Sequence, residues 1–216
     1  MRNLSLRVLD DAAAAGAVRA EPSLTRSRLL QHAFVGGGAV VAGGVLLGGL
    51  PALAPAARSK EQDVRILNLV LLLEELKAAF YAAAEAGGAL RGELAEFARI
   101  VGEHERAHVE YLRKALGNQA EAKPSFDFGN TTGDRNRFAV TAAMLEDTAV
   151  AGYNGQAANL TKPVLKAAAT IVSVEARHAA WIRDIVGQPA APDATDKPAT
   201  DRQVQQAIAR TGFVTR

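Results

Sequence analysis

Two short spacings carry the chemistry this sequence offers. In "GEHERAHVEYL", residues 102–112, Glu105 stands three residues before His108. In "SVEARHAAWI", residues 173–182, Glu175 stands three residues before His178. On a helix, a three-residue step puts both side chains on one face. A carboxylate and an imidazole placed together in this way are ligands for a divalent metal ion. The first stretch also reads His104-Glu105-x-x-His108, the helix of a zinc hydrolase in which two histidines hold the metal and the glutamate activates water. The chain has no cysteine. Disulfides, iron–sulfur clusters and thiolate zinc sites are thereby excluded, and oxygen and imidazole remain as the ligand types.

The neighbours of both pairs are apolar. Val101 and Leu112 share the face of Glu105 and His108, and Ile171, Val174 and Ile182 share that of Glu175 and His178. The pairs therefore point into a core, where an unpaired charge is expensive and a bound metal would remove the cost. Two further segments offer one inward carboxylate each. In "AAMLEDTAVAGYNG", Glu146 lies on a face with Ala142, Leu145, Ala149 and Tyr153, and Asp147 is turned about 100° away by helix geometry. In "LVLLLEELKAAFY", Glu74 shares a stripe with Leu67, Leu71, Ala78 and Tyr81, whereas Glu75 shares one with Asn68 and Leu72. The run Leu69–Leu73 is apolar all round, so the pattern favours Glu74 without settling the choice.

These side chains need four helices to position them. The pattern predicts helices over roughly 60–86, stopped by Gly87-Gly88, and 90–116, stopped by Gly117. It predicts two more over 134–159 and from Thr161 to Gly187, with Pro163 in the first turn of the last. Short links join the first two and the last two, so each pair is an antiparallel hairpin. The Gly-, Pro- and Asn-rich stretch 117–133 is long enough to run back along the bundle. The expected fold is all-α, a ferritin-like up-down four-helix bundle with one long crossover between the second and third helices. Four glutamates and two histidines, with a Glu-x-x-His on each of two helices, are the ligand set of di-iron and di-manganese bundles. The expected metal ligands are Glu74, Glu105, His108, Glu146, Glu175 and His178. Glu105 and Glu175 are expected to bridge two ions, His108 and His178 to bind one each, and Glu74 and Glu146 to be terminal.

The stretches "DVRILNLVLLLEELKAAFY", "EHERAHVEYL", "LEDTAVAGY" and "VEARHAAWI" resemble the bacterial ferritin-like domain family, whose exported members include desiccation-related proteins. The resemblance spans residues 61–187. It implies Glu74 rather than Glu75 as the first-helix ligand. It also implies that Lys77 stands where the family often has another acidic residue.

The zinc-hydrolase reading needs a third ligand and a strand-rich half to hold substrate, and neither is evident. It leaves Glu74, Glu146, Glu175 and His178 without a role. His104 is expected beside the site or at the surface. Tyr81, Tyr153 and Trp181 are expected near the site, as packing residues.

Residues 1–57 hold five arginines against three acids, and the remainder is balanced between bases and acids, with a net charge of +2 for the chain. No nucleic-acid footprint is expected. Arg26 and Arg28 precede the charge-free run Ala33–Ala54. Basic residues followed by such a run make an export signal, here resembling a twin-arginine signal with its pair split by Ser27. If left uncut, the run is long enough to tether the chain to a membrane. Three parts are therefore expected: 1–57 as export signal or anchor, 58–187 as the bundle, and 188–216 as a tail strapped over the surface, briefly helical around "DRQVQQAIA", residues 201–209.

The expected product is an exported, periplasmic or cell-envelope protein with two iron (or manganese) ions. Its expected substrates are dioxygen or peroxide, with ferroxidase or peroxidase/catalase-type chemistry in stress protection. A stress-protective bundle with little catalysis is the alternative of a different class, and the zinc hydrolase a remote one. A homodimer is compatible with all three.

Overall fold

The computed structural model describes residues 58–215, so the expected export segment and membrane tether at 33–54 lie outside the described residues. Five α-helices follow one another: α1 (Lys60–Gly87), α2 (Glu93–Leu116), α3 (Arg135–Gln156), α4 (Lys162–Ile185) and α5 (Asp201–Thr211). The described residues form no strand, only an isolated antiparallel bridge between Phe126 and Val214. The all-α expectation holds.

Local chemistry sets the ends of these helices. Ser59 caps α1 by accepting from Gln62 N, and Gly88 ends it in the left-handed conformation that glycine adopts freely (φ 58°). Asp134 caps α3 through Arg137 N. Thr161 stands at the N-cap of α4 and Pro163 in its first turn, as expected, but the Thr161 side chain makes no cap of its own. Instead both its N–H and its hydroxyl donate to the Asp63 carboxylate of α1 (2.9 and 2.5 Å). The start of α4 is thereby tied to the start of α1.

α1 packs along α2, and α3 along α4. Contacts of α1 with α3 and of α2 with α4 close the bundle. The long connection between α2 and α3 runs through a 3-10 turn (Gly117–Gln119). Asn68 of α1 anchors its beginning, donating to Gln119 O and accepting from Glu121 N (both 2.9 Å).

The tail forms the short helix expected around residues 201–209, and that helix packs on the bundle. Thr200 and Gln203 form a capping box, and α5 buries Val204 and Ile208 in the main core. Gly155 of α3 allows this approach, because a Cβ there would lie 1.8 Å from Ala199 O. Beyond α5 the chain pairs with the crossover: Asp127 N donates to Phe213 O and Thr215 N to Ser125 O.

Two apolar clusters fill the bundle. One is aromatic, with Phe80 stacked on Phe138 (5.1 Å between ring centroids) and Tyr81 edge-on to Phe97 and Phe138. The other is aliphatic: Ile66, Val70, Leu71, Leu112, Leu116, Leu160 and Ile171 surround Tyr153. Along α1 the aliphatic cluster takes Ile66, Val70 and Leu71, and the first cluster takes residues on both sides of Glu74 and Lys77.

Candidate metal centre

Each of the four long helices sends charged side chains to one place. α1 contributes Glu74 and Lys77, α2 Glu105 and His108, α3 Glu146, and α4 Glu175 and His178. All four of these carboxylates and the Lys77 ammonium are shut off from solvent, His178 is buried and His108 nearly so. The expected inward faces are borne out by their neighbours. Val101 and Leu112 are buried beside Glu105, Ile171 and Ile182 beside Glu175, and Ala142, Leu145, Ala149 and Tyr153 beside Glu146.

The choice between Glu74 and Glu75 is resolved by a distant partner. Glu75 is buried in an ion pair with Arg113 of α2, while Glu74 enters the cluster. Asp147 turns away from it, as expected, to Arg183 (2.6 Å).

The ligand atoms fall into two overlapping groups. Glu74, Glu105, His108 and Glu175 form one, and Glu105, Glu146, Glu175 and His178 the other. Within each group the donor atoms lie within 4.8 Å of one another. Glu105 and Glu175 belong to both groups. His108 Nδ1 faces Glu175 Oε1 at 2.9 Å, and His178 Nδ1 faces Glu105 Oε1 at 3.2 Å and Glu146 Oε2 at 3.4 Å.

Outer contacts orient these ligands. Tyr153 donates to Glu74 Oε1 (2.8 Å) and Tyr81 to Glu146 Oε1. The two tyrosines come from different apolar clusters, so each cluster steadies one carboxylate, Glu74 or Glu146. On the outer side, His178 Nε2 lies 2.9 Å from His104 Nδ1. Such a partner fixes a ligand histidine's tautomer and ring orientation. His104 is thus beside the site, and it enters neither donor group. That and the absence of strands among the described residues leave the zinc-hydrolase reading without its metal set. Trp181 packs edge-on to Phe97 and donates to Glu93 (2.9 Å).

The donor set fits metal. Glu74 Oε2, both Glu105 oxygens, Glu146 Oε2, Glu175 Oε1 and the Nδ1 atoms of His108 and His178 are all buried with no well-formed hydrogen bond, facing only the Lys77 ammonium or one another. Buried polar atoms are otherwise almost always partnered. These atoms all belong to the six expected ligands, and their only neighbours are charged groups of the same cluster. Carboxylate with imidazole suits iron or manganese rather than a soft metal.

Lys77, expected only to stand where the resembled family often has another acid, lies inside the cluster itself. Its ammonium contacts Oε2 of all four carboxylates: Glu105 at 2.9 Å, Glu74 at 3.0 Å, Glu146 at 3.5 Å, and Glu175 closest of all. The signal was present, since Lys77 stands three residues after Glu74, the same step that pairs Glu with His.

Crowding shifts the titrations strongly. Burial, with Glu105 and Glu74 nearby, pushes Glu175 up to about 8. Burial also raises Glu105, against the pull of Lys77. For Glu74 and Glu146 burial is the largest influence and works against ionisation, but the Lys77 ammonium acting together with His108 at Glu74, and with His178 and Tyr81 at Glu146, overcomes it and both carboxyls lie below the usual range. Burial disfavours charge on the histidines too. The carboxylates around them prevail and raise His108 to about 12 and His178 to about 9.

The family model of the ferritin-like domain matches residues 62–188, more than half of the chain. No curated protein matches.

Proposed function

Because this chain belongs to the ferritin-like domain family, we propose that its buried centre binds iron or manganese and turns over dioxygen or peroxide outside the cytoplasm. One observation carries the reading: two four-residue donor groups share Glu105 and Glu175 at the meeting point of four helices. A bound redox metal would supply the electrons for reducing dioxygen or peroxide. The chain's own residues do the rest. Glu74, Glu105, His108, Glu146, Glu175 and His178 hold the ion or ions, and Tyr81, Tyr153 and His104 keep three of those ligands in place. The apolar clusters on either side limit access of bulk water. His108 and His178 hold protons that metal must displace, so loading releases protons to solvent.

Export is part of the proposal. Arg26 and Arg28 ahead of the charge-free run Ala33–Ala54 support it. A membrane tether, if there is one, belongs to that same run; no described helix is long and apolar enough to cross a membrane.

A second reading, a stress-protective bundle without turnover, is favoured by Lys77, whose built-in cation braces the four carboxylates. Elemental analysis of protein purified from its native host, with a peroxide-consumption assay, separates the two. The proposal expects iron or manganese and metal-dependent consumption. Metal-free protein, or metal without turnover, leaves the bracing role.

A further inference from the structure

The cluster holds eight carboxylate oxygens, and most of them already face a partner. The four Oε2 atoms converge on Lys77 Nζ. Glu74 Oε1 accepts from Tyr153 and Glu146 Oε1 from Tyr81. Committed to neither lysine nor tyrosine are Glu105 Oε1, Glu175 Oε1 and the Nδ1 atoms of the two histidines. The two nitrogens belong to different donor groups, but either of them with the two oxygens supplies a position for one ion. The four atoms do not suffice for two, because a carboxylate bridging two ions gives one oxygen to each, and Lys77 faces one oxygen of both bridging candidates.

Lys77 also cannot withdraw easily. It is wholly buried and rooted in α1, whose neighbouring positions Leu73, Leu76 and Phe80 are packed in the core. In two-metal sites the ions lie about 3.5–4 Å apart. An ammonium touching both bridging carboxylates would sit within a few ångströms of each ion, with no water to screen the repulsion.

We propose that the Lys77 ammonium is a resident cation standing in for one metal ion, so that each chain binds a single divalent ion and a neutral residue at 77 opens a second position. The proposal rests on the reading of the centre as a metal site and adds a count to it.

The test uses the full chain, purified with Mn2+ present throughout and freed of excess by gel filtration. Manganese per chain and the electron paramagnetic resonance spectrum are measured for the wild type, Lys77→Met and Lys77→Gln. The expected result is one Mn2+ per wild-type chain, with the spectrum of an isolated ion. Both variants should hold two, with the broadened spectrum of a coupled pair. Two ions in the wild type would overturn the proposal and leave the metal reading standing, and this count needs no variant to fold. One ion in the wild type and one in each variant would overturn it as well. No manganese in any of the three would remove both the count and the metal reading beneath it.

Discussion

The aromatic layer around Phe80 and the charged centre beside it are both fully buried, both draw on α1, and lie within a turn or two of each other. They are held together by opposite means. Phe80, Phe97 and Phe138 are stabilised by the water they exclude and the contacts they make. Glu74, Glu105, Glu146 and Glu175 would be destabilising on their own, since like charges in a core repel and lose their hydration. They persist because Lys77, two histidines and two tyrosines face them. The apolar layer is therefore sensitive to volume, and the charged centre to the presence of cations.

The largest effects separate the two regions by what rescues them. Lys77→Met removes the shared cation and should cost the chelator-treated protein about 3–5 kcal/mol, as breaking a buried ion pair does. Phe80→Ala should cost a similar ~3–5 kcal/mol through the cavity it leaves. Added Mn2+ should restore much of the melting temperature of the first variant and only shift the second in parallel with the wild type. Equal recovery in both would break the comparison. The same logic governs removal of carboxylates. Replacing Glu105 and Glu175 by Leu strands Lys77 with half its partners, so a gain in metal-free stability is expected only when Lys77→Met accompanies the pair.

The next effect is on pH. Glu175 and His178 have folded-state values raised to about 8 and about 9 from ordinary values of 4.5 and 6.5. A raised value stabilises the fold below the unfolded value, and that stability is lost as pH climbs through the folded one. In chelator, the melting temperature should therefore fall from pH 6.5 to 9. Glu74 and Glu146 are lowered, so their contribution is lost in the opposite direction, as pH drops below the usual carboxylate range. With metal the trend from 6.5 to 9 should weaken, because the ion binds the deprotonated ligands and the gap over the metal-free protein widens with pH. A chelated protein as stable at pH 9 as at 6.5 would show that these groups are not crowded.

Smaller still, Tyr153→Phe deletes one hydrogen bond to the Glu74 carboxylate. Thermal melts should show a loss of about 1.5–3 kcal/mol, the range for a bond to a charged group. His104→Ala should leave the fold intact and weaken metal binding by roughly tenfold, since His104 orients His178 without being a ligand. A loss of binding as severe as that from His108→Ala would make His104 a ligand after all.

Much of this was legible in the sequence, for a physical reason. The helix boundaries, the crossover and the inward faces of Glu105, His108, Glu146, Glu175 and His178 follow from periodicity, capping residues and the three-residue step, all of which are local. What was hidden depends on other elements. Glu74 and Glu75 look alike within α1 and are separated by Arg113 of α2, which claims Glu75. Lys77 lies on the face of Glu74, but a lysine reads as a surface residue until four carboxylates are known to surround it. The helix of the tail is legible in "DRQVQQAIA", but its docking is not; Val204 and Ile208, one turn apart, are the apolar pair by which α5 enters the core.

The central claim is that the six residues form a site that binds metal in the folded state. The most direct measurement is the melting temperature of the full chain in chelator and in Mn2+, for the wild type and for Glu105→Ala with Glu175→Ala. The account predicts a stabilisation of the wild type by about 3–4 kcal/mol once free Mn2+ is roughly 100–1,000 times its dissociation constant, and no shift in the double variant. A wild type that melts alike in both conditions, or a double variant that keeps the shift, would contradict it.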